Sequence, residues 1–198
     1  MSGFCWQMSR KPLKRGLMVF GGGVLVSLVT ILVMPSSMVM FGVLTFLGSA
    51  MLLMIPIDLI CKKINALLGA IGSFLLFAFT YSINRGYVGF FKVELFEVPD
   101  AWYANLFTTY LGLPETGFYS TDYFSLFPWL FLYITGYFCY NIVFGARSKE
   151  KKENGSVIRI LQKSVCPPLG WVGRKSFIIY LLHQPVTYAV LSIWNFLR

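Results

Sequence analysis

Charged residues are scarce in this chain of 198 residues. Asp, Glu, Lys and Arg together make up 13% of it, whereas hydrophobic residues make up 57%. A typical soluble domain carries roughly 25% charged residues, so this scarcity excludes a soluble globular domain. The mean hydropathy of +0.68 agrees with that exclusion. The composition therefore predicts an all-α integral membrane protein.

Residues that bind metals or form disulfides are also few. The chain has one histidine and four cysteines, and it contains no CxxC pair. A zinc site needs several such ligands together. Cys5, Cys61 and Cys166 lie near the face that the charge distribution places in the cytoplasm, where reducing conditions disfavour disulfides. HExxH, Walker and GxSxG motifs are absent as well. We therefore expect no metal site and no disulfide framework.

Five long apolar runs divide what we interpret as one integral membrane domain, residues 1–198. Each run has about 16–22 residues, close to the roughly 17–25 that cross a hydrocarbon core as a helix. The predicted spans are residues 16–34, 38–57, 66–81, 125–144 and 176–197. A long outer loop, residues 82–124, and a basic inner loop, residues 146–175, connect the later spans. The pattern predicts a polytopic bundle of about five transmembrane helices.

Two local patterns predict contacts made by these spans. Gly21, Gly22 and Gly23 allow a neighbouring helix to approach closely, as small residues do in membrane bundles. Asp58 precedes Lys62 by one helical turn, which is the spacing of an i,i+4 ion pair. We therefore expect a helix-packing face in the first span and an ion pair at the end of the second.

Positive charge is distributed unevenly between the two predicted faces. Of 17 Lys and Arg residues, all but Arg85, Lys92 and Arg198 fall on one side. The positive-inside rule places that side, and the N-terminus, in the cytoplasm, with the C-terminus outside. The net charge of +9 accompanies no nucleic-acid-binding motif. We therefore predict a multi-pass protein of the cell membrane whose partner is the lipid bilayer, with no nucleic acid.

The outer loop holds five of the eight acids and many aromatic residues. These aromatics are either anchors at the membrane interface or a platform on which a sugar stacks. Asp100 is predicted as the N-cap of a short helix that ends at Gly112. Asp122 and Tyr123, just before the fourth span, are candidates for substrate binding. The alternative for Asp122 is an acid stabilised by the dipole at the N-terminus of that span.

His183 is the single histidine and lies within a predicted span. At about 1.5 Å per residue from Arg174 it lies roughly 13 Å into the membrane core, where an ionisable group is costly. It is therefore the catalytic candidate, and the alternative is a neutral histidine that organises the kink at Pro185. Arg15, Arg174 and Lys175 are candidates for binding an anionic cytoplasmic cofactor, although topology explains them equally well.

Several strings together resemble a known family. They are SGFCWQMSRKPLKRGL, FGVLTFLG, GFYSTDYFSLFPWLFLYITGYF and LGWVGRKSFIIYLLHQPV. In this order they are similar to bacterial membrane proteins of the heparan-alpha-glucosaminide N-acetyltransferase catalytic-domain family. The resemblance implies transfer of an acetyl group from cytoplasmic acetyl-CoA to a hydroxyl or amino group, often of a sugar, across the membrane. It implies a supporting or cofactor-lining role for His183.

The resemblance also implies a difference at the front of the chain. Members of the family usually open with two further helices, the first of which carries a histidine suited to act as general base. Nothing in residues 1–15 matches that motif, so we expect those two helices, and autonomous catalysis, to be absent. Three alternatives stay open: a membrane acyltransferase, a non-catalytic binding or assembly protein or product of a truncated reading frame, and a transporter or channel.

Overall fold

The computed structural model describes residues 2–9, 11–33, 35–90 and 93–145, together with six residues nearer the C-terminus. The chain forms two compact units, Met1–Lys149 and Glu150–Arg198. In the second unit the described residues are helical: Ile178, Ile179, Val186, Thr187, Val190 and Trp194.

Six α-helices make up most of the first unit among the residues described there. They are α1 (Ser2–Trp6), α2 (Pro12–Val33), α3 (Val43–Cys61), α4 (Ala66–Thr80), α5 (Leu106–Leu111) and α6 (Trp129–Tyr140), the last continuing as a π-helical turn, Asn141–Gly145. Short 3₁₀ turns occur at Pro35–Ser37, Ile83–Arg85 and Asp100–Trp102. The helical class is thus confirmed.

The loop between α4 and α5 contains a small β ladder that the sequence did not predict. Strand β1 (Tyr87–Val88) pairs antiparallel with β2 (Phe96–Glu97), with Tyr87 opposite Glu97. Within the described ranges, three helices are long and apolar enough to cross a membrane: Pro12–Val33, Val43–Cys61 and Ala66–Arg85. Trp129–Gly145 is apolar but shorter. The total of five spans and the orientation of the termini stay predictions.

Helices α2 and α3 pack closely because glycines line their contact. A Cβ added to Gly23 would lie 2.6 Å from the Thr45 backbone nitrogen, and one added to Gly48 would overlap the backbone of Phe20. The predicted packing face is therefore confirmed at Gly23, while Gly21 points away, with no atom within 4 Å of an added Cβ. Small residues on both helices let the backbones approach to this distance.

Helix α3 begins five residues later than the apolar pattern predicts. Phe41 has a φ of 54°, in the left-handed region that disfavours an L side chain, so the chain cannot be helical there. Gly42 is extended and acts as the N-cap of the helix that starts at Val43. The prediction that the second span starts at residue 38 was therefore wrong.

Helix α6 lies in the core between α1, α3 and α4. Gly3 of α1 fits against the Tyr133 backbone, and the Gln7 side chain reaches Asn141, so α1 runs in the same direction as α6. On the other side, Ser73 Oγ is 2.9 Å from Thr135 Oγ1. This packing buries Tyr133 of α6 at 4% exposure.

The predicted ion pair at the end of α3 is confirmed. Lys62 Nζ lies 2.5 Å from Asp58 Oδ2. The other carboxylate oxygen, Oδ1, accepts a hydrogen bond of 2.5 Å from the Tyr137 hydroxyl of α6. Tyr137 is buried, at 1% exposure. The Asp58 carboxylate therefore connects α3 to α6 as well as to Lys62 one turn later.

Candidate functional site

Two cavities lie at different levels along α2. We call the first the Arg15 cavity; it has a volume of about 300 Å³. We call the second the Phe41 groove; its volume is about 390 Å³. The side chains of the Arg15 cavity come from α1, from the start of α2 and from α3, and include Ser2, Cys5, Trp6, Ser9, Arg15 and Met51.

The Arg15 cavity combines a cation with polar side chains. Trp6 closes one wall, because its indole nitrogen donates a 3.1 Å hydrogen bond to the carbonyl oxygen of Met51. Cys5 and Arg15 are exposed on the cavity wall. No acidic residue that the structure describes forms an ion pair with Arg15. Its guanidinium is therefore available to an anionic ligand, since Arg presents a planar fork of donors to phosphate or carboxylate.

Tyr133 is an unusual neighbour of this cavity. Its hydroxyl oxygen is buried. Among the described residues it is the one buried side-chain nitrogen or oxygen atom that has no hydrogen-bond partner. It lies within electrostatic range of Arg15 and Cys5, both of which line the cavity. A buried hydroxyl without a partner costs about 1–3 kcal/mol, so its retention needs an explanation. A polar group of a bound ligand would satisfy it.

Asp122 lies at a helix N-terminus, but not at the predicted one. Its Oδ2 accepts a 3.3 Å hydrogen bond from the backbone nitrogen of Val43, the first residue of α3. The expectation that Asp122 would cap the fourth span was therefore wrong. A carboxylate at this point interacts favourably with the positive end of the α3 dipole. The physical reason is tertiary, because residues 120–124 pair with residues 37–43.

That pairing is a set of hydrogen bonds between distant segments. The Thr121 nitrogen donates to the carbonyl oxygen of Met38 at 3.1 Å, and the Phe124 nitrogen donates to that of Phe41 at 2.8 Å. The Ser120 hydroxyl donates to the Met40 carbonyl oxygen at 2.9 Å. These bonds hold the left-handed Phe41 in place and fix Asp122 beside α3.

Tyr123 connects the same segment to α5. Its hydroxyl donates a 2.5 Å hydrogen bond to the carbonyl oxygen of Thr109. Burial raises the pKa of Tyr123 to about 12, so the phenol is neutral at physiological pH. Helix α5 itself begins at Leu106, and its N-cap is Asn105, whose side chain accepts hydrogen bonds from the Phe107 and Thr108 nitrogens. The prediction of Asp100 as the N-cap was therefore wrong, while the stop at Gly112 is confirmed.

The Phe41 groove adjoins this outer segment. It is lined by Phe20, Val24, Leu28 and Ile31 of α2, by Phe41 and by Tyr110 of α5, among others. The Phe41 ring lies 5.4 Å from that of Tyr110 and stacks at 6.2 Å on that of Phe118. The Tyr110 hydroxyl donates to Ser49 Oγ of α3. Apart from Ser27 and Thr45, the walls of the groove are therefore aromatic rings and apolar side chains.

The predicted site residues do not form a single cluster among the described parts of the chain. Gly16, next to Arg15, faces Leu52, whereas Asp122 contacts Val43. Nine residues of α3 separate those two levels, roughly 14 Å. His183, Arg174 and Lys175 lie outside the described residues. No group of three or more His, Cys, Asp or Glu within those residues could hold a metal.

The sequence alone missed three features of these sites. It gave no signal for the unpartnered Tyr133 hydroxyl or for the Phe41 groove, because both depend on how helices pack. The capping function of Asn105 had a signal, since Thr108 follows it three residues later.

Comparison with known protein families gives a match over most of the chain. The family described as "Heparan-alpha-glucosaminide N-acetyltransferase, catalytic" matches residues 2–185. No curated protein and no solved structure matches the chain. The matched region includes both cavities and the three candidate residues that the structure does not describe.

Proposed function

The chain belongs to the heparan-alpha-glucosaminide N-acetyltransferase catalytic family, and on that basis we propose that it transfers an acetyl group from acetyl-CoA to a carbohydrate acceptor across the cell membrane. The family match over residues 2–185 is the observation that carries this proposal. The three long apolar helices support the membrane setting. Acetyl-CoA is the donor, and a hydroxyl or amino group of a sugar is the acceptor.

The Arg15 cavity is our candidate for the donor end. CoA carries several phosphate groups, and the Arg15 guanidinium suits phosphate because it can form two parallel hydrogen bonds to it. The Tyr133 hydroxyl, which has no partner among the described residues, can donate to the donor carbonyl or to a pantetheine amide. Arg174 and Lys175 are further candidates for phosphate contacts, on the strength of their predicted position at the same membrane face.

The acceptor end is proposed near Asp122 and Tyr123. In the reaction, the acceptor oxygen or nitrogen forms a bond to the acetyl carbonyl carbon, the carbon–sulfur bond breaks, and the acceptor's proton ends on the released thiol. A general base must carry that proton near neutral pH. Residues 1–15 do not match the N-terminal histidine motif that supplies the base in the family, so His183 is our candidate for this step in its place. It is the one histidine in the chain and lies within the matched region.

Titration of the purified full chain with acetyl-CoA in lipid nanodiscs tests the donor end. We expect Arg15→Gln to weaken binding about tenfold, which corresponds to ~1.4 kcal/mol. Lys14→Gln is the matched control, since Lys14 is exposed on the same helix and does not line the cavity. Absence of binding by the unmodified chain would refute the proposal.

Two further variants separate binding from chemistry. Arg174→Ala should weaken donor binding, whereas His183→Ala should leave binding unchanged and abolish transfer of labelled acetyl to glucosamine. Loss of binding in His183→Ala, with transfer by the remaining fraction unchanged, would assign His183 to the donor site and remove it as the base.

A further inference from the structure

The Phe41 groove has the dimensions and chemistry of a site for a hydrocarbon chain. Eleven residues separate Phe20 from Ile31 along α2, which is roughly 16 Å at the rise of an α-helix. Half of a hydrocarbon core of roughly 30 Å is about 15 Å. The groove therefore spans the depth of about one leaflet. Its volume of about 390 Å³ lies within the range of roughly 300–1,000 Å³ found for ligand pockets.

The groove opens onto the exposed, apolar face of α2. Leu28 is 54% exposed although it lines the groove, and Val24 and Ile31 are exposed beside it. Helix α2 is long and apolar enough to cross a membrane, and an exposed apolar face on such a helix suits contact with lipid. The groove is thus continuous with the lipid-facing surface, and a chain can enter it sideways from the membrane.

One end of the groove leads to polar groups. Phe41 and Tyr110 line it, and Phe118 stacks on Phe41. The ring of Tyr123 lies 5.3 Å from that of Phe118, edge to face. Asp122 lies between Thr121, whose nitrogen donates to the Met38 carbonyl oxygen, and Phe124, whose nitrogen donates to that of Phe41 in the groove wall. A molecule with its chain in the groove can therefore place its polar head near Asp122 and Tyr123.

Helix α5 forms an apolar edge at the same end. Leu106 and Phe107 line the groove and are also exposed, and Trp102 just before them is exposed too. Exposed aromatic residues of this kind are typical of the membrane–water interface. Phe41, at the junction, keeps a left-handed φ of 54°, and conformations of that kind cluster at ligand sites.

We propose that the Phe41 groove binds the hydrocarbon chain of a lipid-anchored acceptor, so that the acetyl acceptor is a membrane-tethered sugar rather than a free one. The role of the bound molecule as an acetyl acceptor rests on the proposed acetyl transfer, but the binding of its hydrocarbon chain in the groove does not. The chain lies along α2, and the sugar lies at the Asp122–Tyr123 end.

The test uses a long-chain alkyl glucosaminide that carries a photoactivatable diazirine in its chain. The purified full chain in phosphatidylcholine nanodiscs is cross-linked and the site is mapped by mass spectrometry. We expect labelling within residues 20–31 and 106–110. Leu28→Trp, which fills the groove, should reduce it at least fivefold. Leu25→Trp is the matched control, since Leu25 is 56% exposed on the same helix and does not line the groove.

The other outcomes decide either against this inference or against the proposed acetyl transfer. Labelling that spreads over the exposed face of α2 and ignores Leu28→Trp would indicate bulk lipid alone. Equal acetyl transfer to free and to alkyl glucosaminide, unaffected by Leu28→Trp, would remove the inference while leaving acetyl transfer intact. Saturable labelling of the groove without acetyl-CoA binding would instead remove the proposed function and keep the groove.

Discussion

Replacing each of two tyrosines on α6 by phenylalanine should have opposite effects on stability. Tyr133 and Tyr137 are one helical turn apart and are both buried, at 4% and 1% exposure. Tyr137 donates a hydrogen bond to Asp58, whereas the Tyr133 hydroxyl has no partner among the described residues. The substitution removes one oxygen atom in both cases and keeps the ring, so packing changes are matched.

The magnitude for Tyr137→Phe follows from its partner. Hydrogen bonds between membrane helices average about 0.6 kcal/mol, with a maximum near 1.7. Bonds to charged groups contribute about 1.5–3 kcal/mol. Asp58 keeps its ion pair with Lys62 in the variant, so the carboxylate is not left alone. We therefore expect a loss of about 1–2 kcal/mol in the free energy of unfolding.

Tyr133→Phe should cost nothing and is expected to stabilise the protein by up to about 1 kcal/mol. The substitution removes a buried oxygen whose desolvation destabilises the folded state and is not offset by a hydrogen bond. The same variant should bind acetyl-CoA more weakly if the hydroxyl contacts the donor. A merely structural tyrosine would show no change in affinity.

The assay is reversible unfolding of the full chain in mixed micelles with increasing sodium dodecyl sulfate, followed by circular dichroism. Acetyl-CoA affinity is measured on the same preparations. A loss above about 1 kcal/mol in Tyr133→Phe, or equal losses in both variants, would refute the assignment of partners on which the reasoning depends.

Three further predictions concern other contacts. Gly48→Ala should destabilise the protein by about 1–3 kcal/mol because the added Cβ overlaps the Phe20 backbone. The control Gly21→Ala should be neutral or should stabilise the protein by up to about 1 kcal/mol. Thermal unfolding in detergent measures both variants, and equal effects would contradict the packing of α2 on α3. Asp122→Ala should cost about 0.5–2 kcal/mol and speed hydrogen exchange at the first turn of α3; unchanged exchange there would remove the cap. Folding raises the Tyr123 pKa to about 12 from about 10 in the unfolded chain, so the free energy of unfolding should fall as the pH rises from about 10 to about 12. Tyr123→Phe should reduce this fall. Identical pH profiles of stability for the variant and the unmodified chain would contradict the prediction.

Long apolar runs made α2 and α4 predictable within a few residues. Residues 16–33 of α2 and all of α4 contain no charged side chain, so composition alone predicts a helix that spans the membrane. The start of α3 was harder to predict from the sequence, because residues 38–42 are as apolar as a helix in the membrane. Their non-helical backbone is fixed by hydrogen bonds to residues 120–124, about 80 positions away, which no local pattern reports.

The candidate residues were identified more easily than their partners. Asp122 was predicted at a helix N-terminus from its acid character, yet the helix it contacts is α3 rather than α6. Asp58 and Lys62 were predictable because one helix brings them together. Tyr137, the third member of that group, comes from another helix. Contacts within an element follow from spacing, whereas contacts between elements follow from packing.

The hydrogen bonds that hold α3 set an order for folding during synthesis. Glycine contacts let α3 pair with α2 as soon as both have left the ribosome. Its other partners arrive much later: Tyr110 follows Ser49 by 61 residues, and Asp122 follows Val43 by 79. At 5–20 residues per second, 79 residues take roughly 4–16 s. For that interval the nascent α2–α3 hairpin lies in the membrane with α3 uncapped and with Asp58 lacking its hydrogen bond from Tyr137. It is then that a chaperone or a protease has access to it.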